Sequence, residues 1–362
     1  MKLRLCLLTL VLAAARTAPA QVPENLVVEN IPPVAAAQKR DVGRYLEFRA
    51  AVFDGWHPTR HEMLITTRFA DTPQLHHVKM PGGARRQLTF SPEPVRGASF
   101  RPKTGEFIVF SQDAGGGEFF QLFRLDPADG RITLLTDGKS RNTGARWARS
   151  GKQLAFTSTH RNGKDNDIWL MDPANPAGNK LVLEVSGGGW NVLDWSHDET
   201  KLLLGEYISA NKSHLHLLDL QTGKRDQVTP DHRENVSYAG GRFAPDASTV
   251  YTTSDEHAEF RRLTRIDLAT QRATPWTAQI PWDVEEFDLS PDGHTIAFLT
   301  NEDGVGVLHL LSTHSGREIK APQLPVGVPS GLEWHENGRD LAFNLSSARS
   351  PNDVYSVNVK SG

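Results

Sequence analysis

Cysteine is nearly absent: Cys6 is the only one in 362 residues. It lies inside an N-terminal segment that reads as a removable signal, so the mature chain would carry no thiol, form no disulfide and need no oxidative folding after export. Methionine is scarce, at 4 residues, and hydrophobic residues make up 38%. That composition suits strands alternating apolar and polar positions better than long buried helices. Beyond the N-terminus no apolar run is long enough to span a bilayer, which takes about 20 residues. A basic excess is missing too. The formal net charge is −3, and loss of the signal with Lys2, Arg4 and Arg16 makes the chain more acidic still; nothing here favours nucleic acid. G-x-S-x-G does not occur, so there is no nucleophile elbow, and no strand–helix alternation exists to hold one.

What is present begins with residues 1–20. Lys2 and Arg4 form a basic start, Leu5 to Ala15 an apolar stretch broken by Arg16, and Ala18-Pro19-Ala20 a small-residue cleavage site. Cleavage near Ala20–Gln21 would yield a periplasmic or secreted protein, with Gln21 where a lipoprotein would need Cys. Residues 21–40 read as a Pro- and Ala-rich lead-in with one short strand candidate, Leu26 to Ile31, and residues 41–362 as one repeat array.

The repeat is set by an aromatic or leucine followed by a Pro/Asp/Ser/His/Glu turn and an apolar strand. The anchors are Trp56, Phe100, Trp147, Trp195, Phe243, Leu289 and Trp334, separated by 44, 47, 48, 48, 46 and 45 residues. Such a period with strand content predicts an all-β fold, a seven-bladed β-propeller of four-stranded blades. Each indole buries about 150–250 Å² between blades, so packing rather than ligand stacking is the expected role of the tryptophans. The seventh repeat supplies three strands, near 330–334, 340–345 and 353–359, and stops at a Lys-Ser-Gly turn. Either residues 26–31 close the last blade or its fourth strand is missing; the sequence reads as truncated.

The repeat text resembles the N-terminal propeller of the prolyl oligopeptidase family of serine peptidases, of the exported bacterial dipeptidyl-aminopeptidase and acylaminoacyl-peptidase type. G-W-H-P (55–58), P-G-G-A-R-R-Q-L-T-F (81–90), L-L-T-D-G-K-S-R-N (134–142) and R-N-G-K-D-N-D-I-W-L-M-D (161–172) carry the likeness. It implies a propeller that caps an α/β-hydrolase domain bearing a Ser-Asp-His triad and admits short or unstructured peptides, with the central channel as their route. No such domain occurs in this sequence, so the chain is expected to be a non-catalytic gating domain, not an enzyme, whose partner would be that hydrolase domain. A stand-alone TolB-like periplasmic propeller binding an envelope protein is the alternative. A channel-centred lyase or glycosidase lacks a convergent acid–base pair.

No catalytic, cofactor or metal residues are assigned. His61-Glu62 starts a zinc motif, but Ile65 occupies the second ligand position. His214 and His216 share a strand face without a third ligand and read as solvated; His76 and His77 face opposite ways. Asp165-Asn166-Asp167 lacks the Gly and Glu of a calcium loop and reads as a turn. Gly115–Gly117 and Gly187–Gly189 read as tight connections, and Asp113 and Glu118 as solvated acids of a hairpin. Glu285-Glu286 resembles the amine-holding acid pair of some family members, but here it lies in a predicted first strand. Asn211, Asn235 and Asn344 match a glycosylation pattern of little weight.

Overall fold

The computed structural model describes residues 27–231 and 235–361; the proposed signal, Leu26 and residues 232–234 lie outside them. Two units separate. In the first, residues 36–46 form a helix, Ala36–Leu46, with no buried residue. The sequence reading did not anticipate it. Ala-rich text without strand alternation favours a helix, and residues 27–31 carry no strand, so the proposed closing strand does not form there.

The second unit, residues 49–362, is a seven-bladed β-propeller. Six sheets have four antiparallel strands in sequential order, and the seventh has three. The innermost strands are Ala51–Trp56, Val95–Phe100, Asn142–Trp147, Trp190–Trp195, Tyr238–Phe243, Val284–Leu289 and Val328–Trp334. All end on the predicted anchors. Six of the seven anchors are followed by the same turn, the next N–H donating back across it, as His57 to Glu62, Ala148 to Gln153, Ser196 to Lys201 and His335 to Asp340; after Phe100 the turn is one residue longer, Arg101 to Phe107.

Hydrophobic clusters lie between sheets rather than at one centre, as twisted sheets without a shared core require. Trp195, for example, packs with Ala155 and Ile168 of the preceding blade and with Leu202 and Leu204 of its own. Trp56, Trp195, Phe243 and Trp334 are buried, whereas Trp147 and Leu289 are only half-buried.

A bulge interrupts every innermost strand within the four residues before its anchor. A bulge re-aims the side chains that follow it. In four blades it uses a glycine three residues before the anchor, at positive φ: Gly97, Gly144, Gly240 and Gly331. Gly331 is the tightest, because a Cβ there would lie 2.7 Å from Asn344 Nδ2. Asn344 Oδ1 in turn accepts the Phe53 N–H at 2.7 Å, joining the last blade to the first. Ala51 N–H donates to Asn352 O, and Asn352 Nδ2 donates to Ala51 O, each at 2.7 Å.

Gly331→Ala should therefore lower the unfolding free energy by about 1–2 kcal/mol, from left-handed strain plus displacement of Asn344. Gly178→Ala, in open space at ordinary φ, should stay within about 0.5 kcal/mol of wild type. Urea unfolding followed by tryptophan fluorescence checks both; equal effects would refute the account of the bulge.

Candidate functional site

One residue before each anchor, the seven innermost strands present Gly55, Ser99, Arg146, Asp194, Arg242, Asp288 and Glu333. This column bridges the blades and faces the bore. Trp56 Nε1 donates to Glu333 O at 3.1 Å, Trp147 Nε1 to Ser99 Oγ at 2.9 Å, Trp195 Nε1 to Arg146 O at 3.0 Å and Trp334 Nε1 to Asp288 O at 3.2 Å. Where an indole is lacking, a charge substitutes. Asp194 Oδ2 accepts the Phe243 N–H at 2.9 Å, and Arg242 Nε donates to Asp288 Oδ1 at 3.0 Å. Asp54 Oδ1, one position further back, accepts the Ala98 N–H at 3.2 Å. All seven junctions are spanned.

The charged members of the column shift one another's titration. Arg146 is exposed to solvent although it sits on an innermost strand. The surrounding blades still desolvate its guanidinium, and with opposing Arg242 they lower its pKa against the pull of Glu333, Asp194 and Asp288. Desolvation also pulls Arg242 down, but Asp288, Asp194 and Glu333 outweigh it and its pKa rises. Glu333 is pushed up to about 7, chiefly by desolvation and then by Asp288, against the Trp56 N–H and both arginines. Desolvation likewise holds Asp54 near 6, despite hydrogen bonds from Thr66, Ala98 and Gly97. Blades three and seven are far apart around the ring, yet Arg146 and Glu333 feel each other. The result is a set of two guanidiniums and three carboxylates, carried one residue before the anchors of five blades, that perturb one another's titration.

The residues singled out from sequence lie elsewhere. His214 and His216 share one face, but both are buried rather than solvated: His216 Nε2 lies 2.9 Å from Glu206 Oε2 against the Trp190 ring, and His214 faces Asp231 at 3.4 Å. Carboxylate partners on neighbouring segments, invisible in strand periodicity, make that burial possible. His76 and His77 are buried on opposite faces, His77 paired with Glu62 at 2.8 Å. Asp113 is also buried, where its Oδ2 accepts the Glu118 N–H; Glu118 itself is exposed. Asp165 and Asp167 converge on Arg161, and Gly187 N–H donates to Asp165, so this segment is a turn locked to the next connection. Glu285 and Glu286 do lie on an innermost strand, where Glu286 accepts the Leu332 N–H at 2.9 Å. Among the described residues no three His, Cys, Asp or Glu converge as a metal site. The charged column was missed because its members are far apart in sequence. Aligning the repeats on their anchors would have shown the column.

The family model for the prolyl oligopeptidase N-terminal beta-propeller domain matches residues 95–362. Dipeptidyl aminopeptidase BIII of Pseudoxanthomonas mexicana is 22% identical over 54% of this chain and 29% of its own length. Prolyl endopeptidase of Elizabethkingia meningoseptica is 22% identical over 72% of this chain and 38% of its own. Dipeptidyl-peptidase 5 of Porphyromonas gingivalis is 28% identical over 49% and 25% respectively. The chain thus spans well under half the length of the curated relatives it matches. A solved prolyl endopeptidase superposes with a TM-score of 0.69 at 16% identity, covering 87% of this chain and 49% of that one; at that identity the likeness establishes the fold.

Glu333 gives the column a pH signature. Its carboxyl titrates near 7 when folded against an ordinary 4.5, so the unfolded chain loses the proton first. Stability therefore falls as pH rises between those values, and is spared below them. Asp54 acts in the same direction between 3.8 and about 6. Glu333→Gln should flatten the loss of unfolding free energy between about pH 5 and about pH 8 relative to wild type. Parallel pH profiles in urea titrations would contradict the burial of this charge.

Proposed function

We propose, from the premise that this chain belongs to the prolyl oligopeptidase family through its N-terminal β-propeller domain, that it is a non-catalytic gate which admits extended peptides and turns away folded protein. The observation that carries this reading is the charged column of Arg146, Asp194, Arg242, Asp288 and Glu333 on the innermost strands. A folded domain cannot enter a ring of seven tightly bridged strands, whereas an extended backbone can, and opposite charges inside meet its amine and carboxylate.

A second observation supports a partner. All innermost strands start on one face, and the loops between second and third strands, and between blades, emerge there too. That face displays Phe69, Phe90, Phe119, Tyr207, Ile208 and Val326, each 48–78% exposed. Exposed apolar groups beyond scattered single ones mark contact surfaces, and the partner this face suits is an α/β-hydrolase domain of the kind the family implies. The gate would work outside the cytoplasm, periplasmic or secreted after cleavage near Ala20–Gln21.

Calorimetry with the purified chain tests the gate. An unstructured decapeptide with free termini should bind with a Kd of about 0.01–1 mM, and a folded protein of similar charge should not bind. Arg146→Ala removes the exposed guanidinium but keeps the backbone carbonyl that Trp195 uses, and should weaken the peptide about tenfold. Peptide should emerge uncleaved. Equal binding of folded and unfolded ligands, or an unchanged affinity in the Arg146 variant, would count against the gate.

A further inference from the structure

Register places Tyr251 where the other blades carry only aliphatic side chains. It lies on the second strand of blade five, Thr249–Ser254, opposite Arg242, the residue before the anchor. At the same step the other six blades present Leu64, Val109, Ala155, Leu203, Ala297 and Ala342, every one buried. Tyr251 is itself only 4% exposed, and its hydroxyl has no hydrogen-bond partner among the described residues. Burial raises its pKa against the pull of Arg265, and Asp246 adds to the rise. A buried hydroxyl left without a partner is destabilising. Packing alone would be served better by the aliphatic residue used elsewhere.

Tyr251 borders a cavity of about 580 Å³ between blades five and six, and Arg265 and Asp246, whose charges its hydroxyl feels, border it too. Arg265 lies directly opposite Tyr251 on the third strand. Its one hydrogen bond runs from Nη2 to Thr249 Oγ1 at 3.1 Å, and among the described residues it makes no ion pair. Blade two supplies the contrast: Arg124, at the same step opposite Val109, donates from Nε to Asp126 at 2.9 Å. Asp246 and Asp267 attract Arg265 at longer range, but each is tied into its own turn, Asp246 by Ser248 and Asp267 by Thr270. Trp276 completes an aromatic wall, its ring centroid 5.3 Å from that of Tyr251, and its Nε1–H is likewise unpartnered among the described residues. Gly316 leaves room beside that N–H, since a Cβ there would lie 3.2 Å from Nε1. His294 and His314 are exposed at the rim.

We infer that this cavity is a binding site for a carboxylate carried on a flat apolar body. The Arg265 guanidinium, the Tyr251 O–H and the Trp276 N–H are donors lacking acceptors, and the two oxygens of a carboxylate supply them. The two rings form a wall for the apolar body, and the volume falls within the range of small-molecule sites, about 300–1,000 Å³. The cavity is also lined by Pro245 and Gly293 of two anchor turns, so it opens on the face opposite the exposed phenylalanines. The inference therefore stands apart from the gating role and from the partner surface.

The probe para-fluorohydrocinnamate, titrated with the full chain and read by fluorine NMR, tests it. Saturable binding with a Kd of about 0.1–3 mM is expected, and the matching carboxamide should bind at least about tenfold more weakly. Tyr251→Phe removes only the unpartnered hydroxyl. It should weaken the acid about fivefold while leaving urea unfolding unchanged or slightly improved. Arg265→Gln should weaken it about tenfold or more. Displacement by an N-acetylated peptide ending in a free phenylalanine carboxylate, and not by its C-terminal amide, would identify a chain terminus as the source. Retained binding of the acid without such displacement would identify a free small acid. No saturation by about 10 mM, equal binding of acid and amide, or an unchanged affinity in Tyr251→Phe would overturn the site. So would a loss of stability in Tyr251→Phe, which would mark the hydroxyl as structural. The amide and Tyr251→Phe keep the test decisive if Arg265→Gln does not fold.

Discussion

Every junction between blades is closed by at least one hydrogen bond from an innermost strand to its neighbour, and the architecture depends on that ring. A propeller sheet cannot bury both faces alone, so it is stable only against the next sheet, and a ring is stable only if its last junction holds. Among the described residues no strand is shared between the terminal blades at the last junction. The junction relies instead on Trp56 donating to the Glu333 carbonyl, Phe53 to Asn344, and the paired amide contacts of Ala51 with Asn352. Each buried bond of this kind contributes about 1 kcal/mol net, but leaving any one partner unsatisfied costs more.

The same column that closes the ring also creates its chemistry. Bulges turn the residue before each anchor towards its neighbour and the bore, and in five blades that residue is charged. Arg242 pairs directly with Asp288, whereas Glu333 is left with its proton affinity raised to about 7 and Arg146 open to water. Structural and functional demands thus fall on the same residues. A bridge must be buried to hold the blades, and a gate must keep some charge accessible.

Much of the fold was legible in the sequence, because an anchor every 44–48 residues followed by a turn is a local signal repeated seven times. Strand order, the anchors and the three-stranded last blade agree with that reading. The helix Ala36–Leu46 was not legible as such, since the text before the first repeat was read from its Pro- and Ala-rich composition as a lead-in with a strand candidate at residues 26–31. Histidine and aspartate burial escaped for a different reason: whether His216 or Asp113 is solvated depends on Glu206, or on the Glu118 N–H, presented by a turn that periodicity does not resolve. The charged column required comparing equivalent positions across blades, because its members influence one another only once the ring has closed.

Hydrogen exchange read by mass spectrometry tests closure of the last junction through the column most directly. The account predicts that the amides of residues 51–56 exchange as slowly as those of 238–243, which sit at an interior junction, since both are bridged through the column. Exchange of 51–56 at the rate of a fraying terminus, with 238–243 still protected, would contradict it.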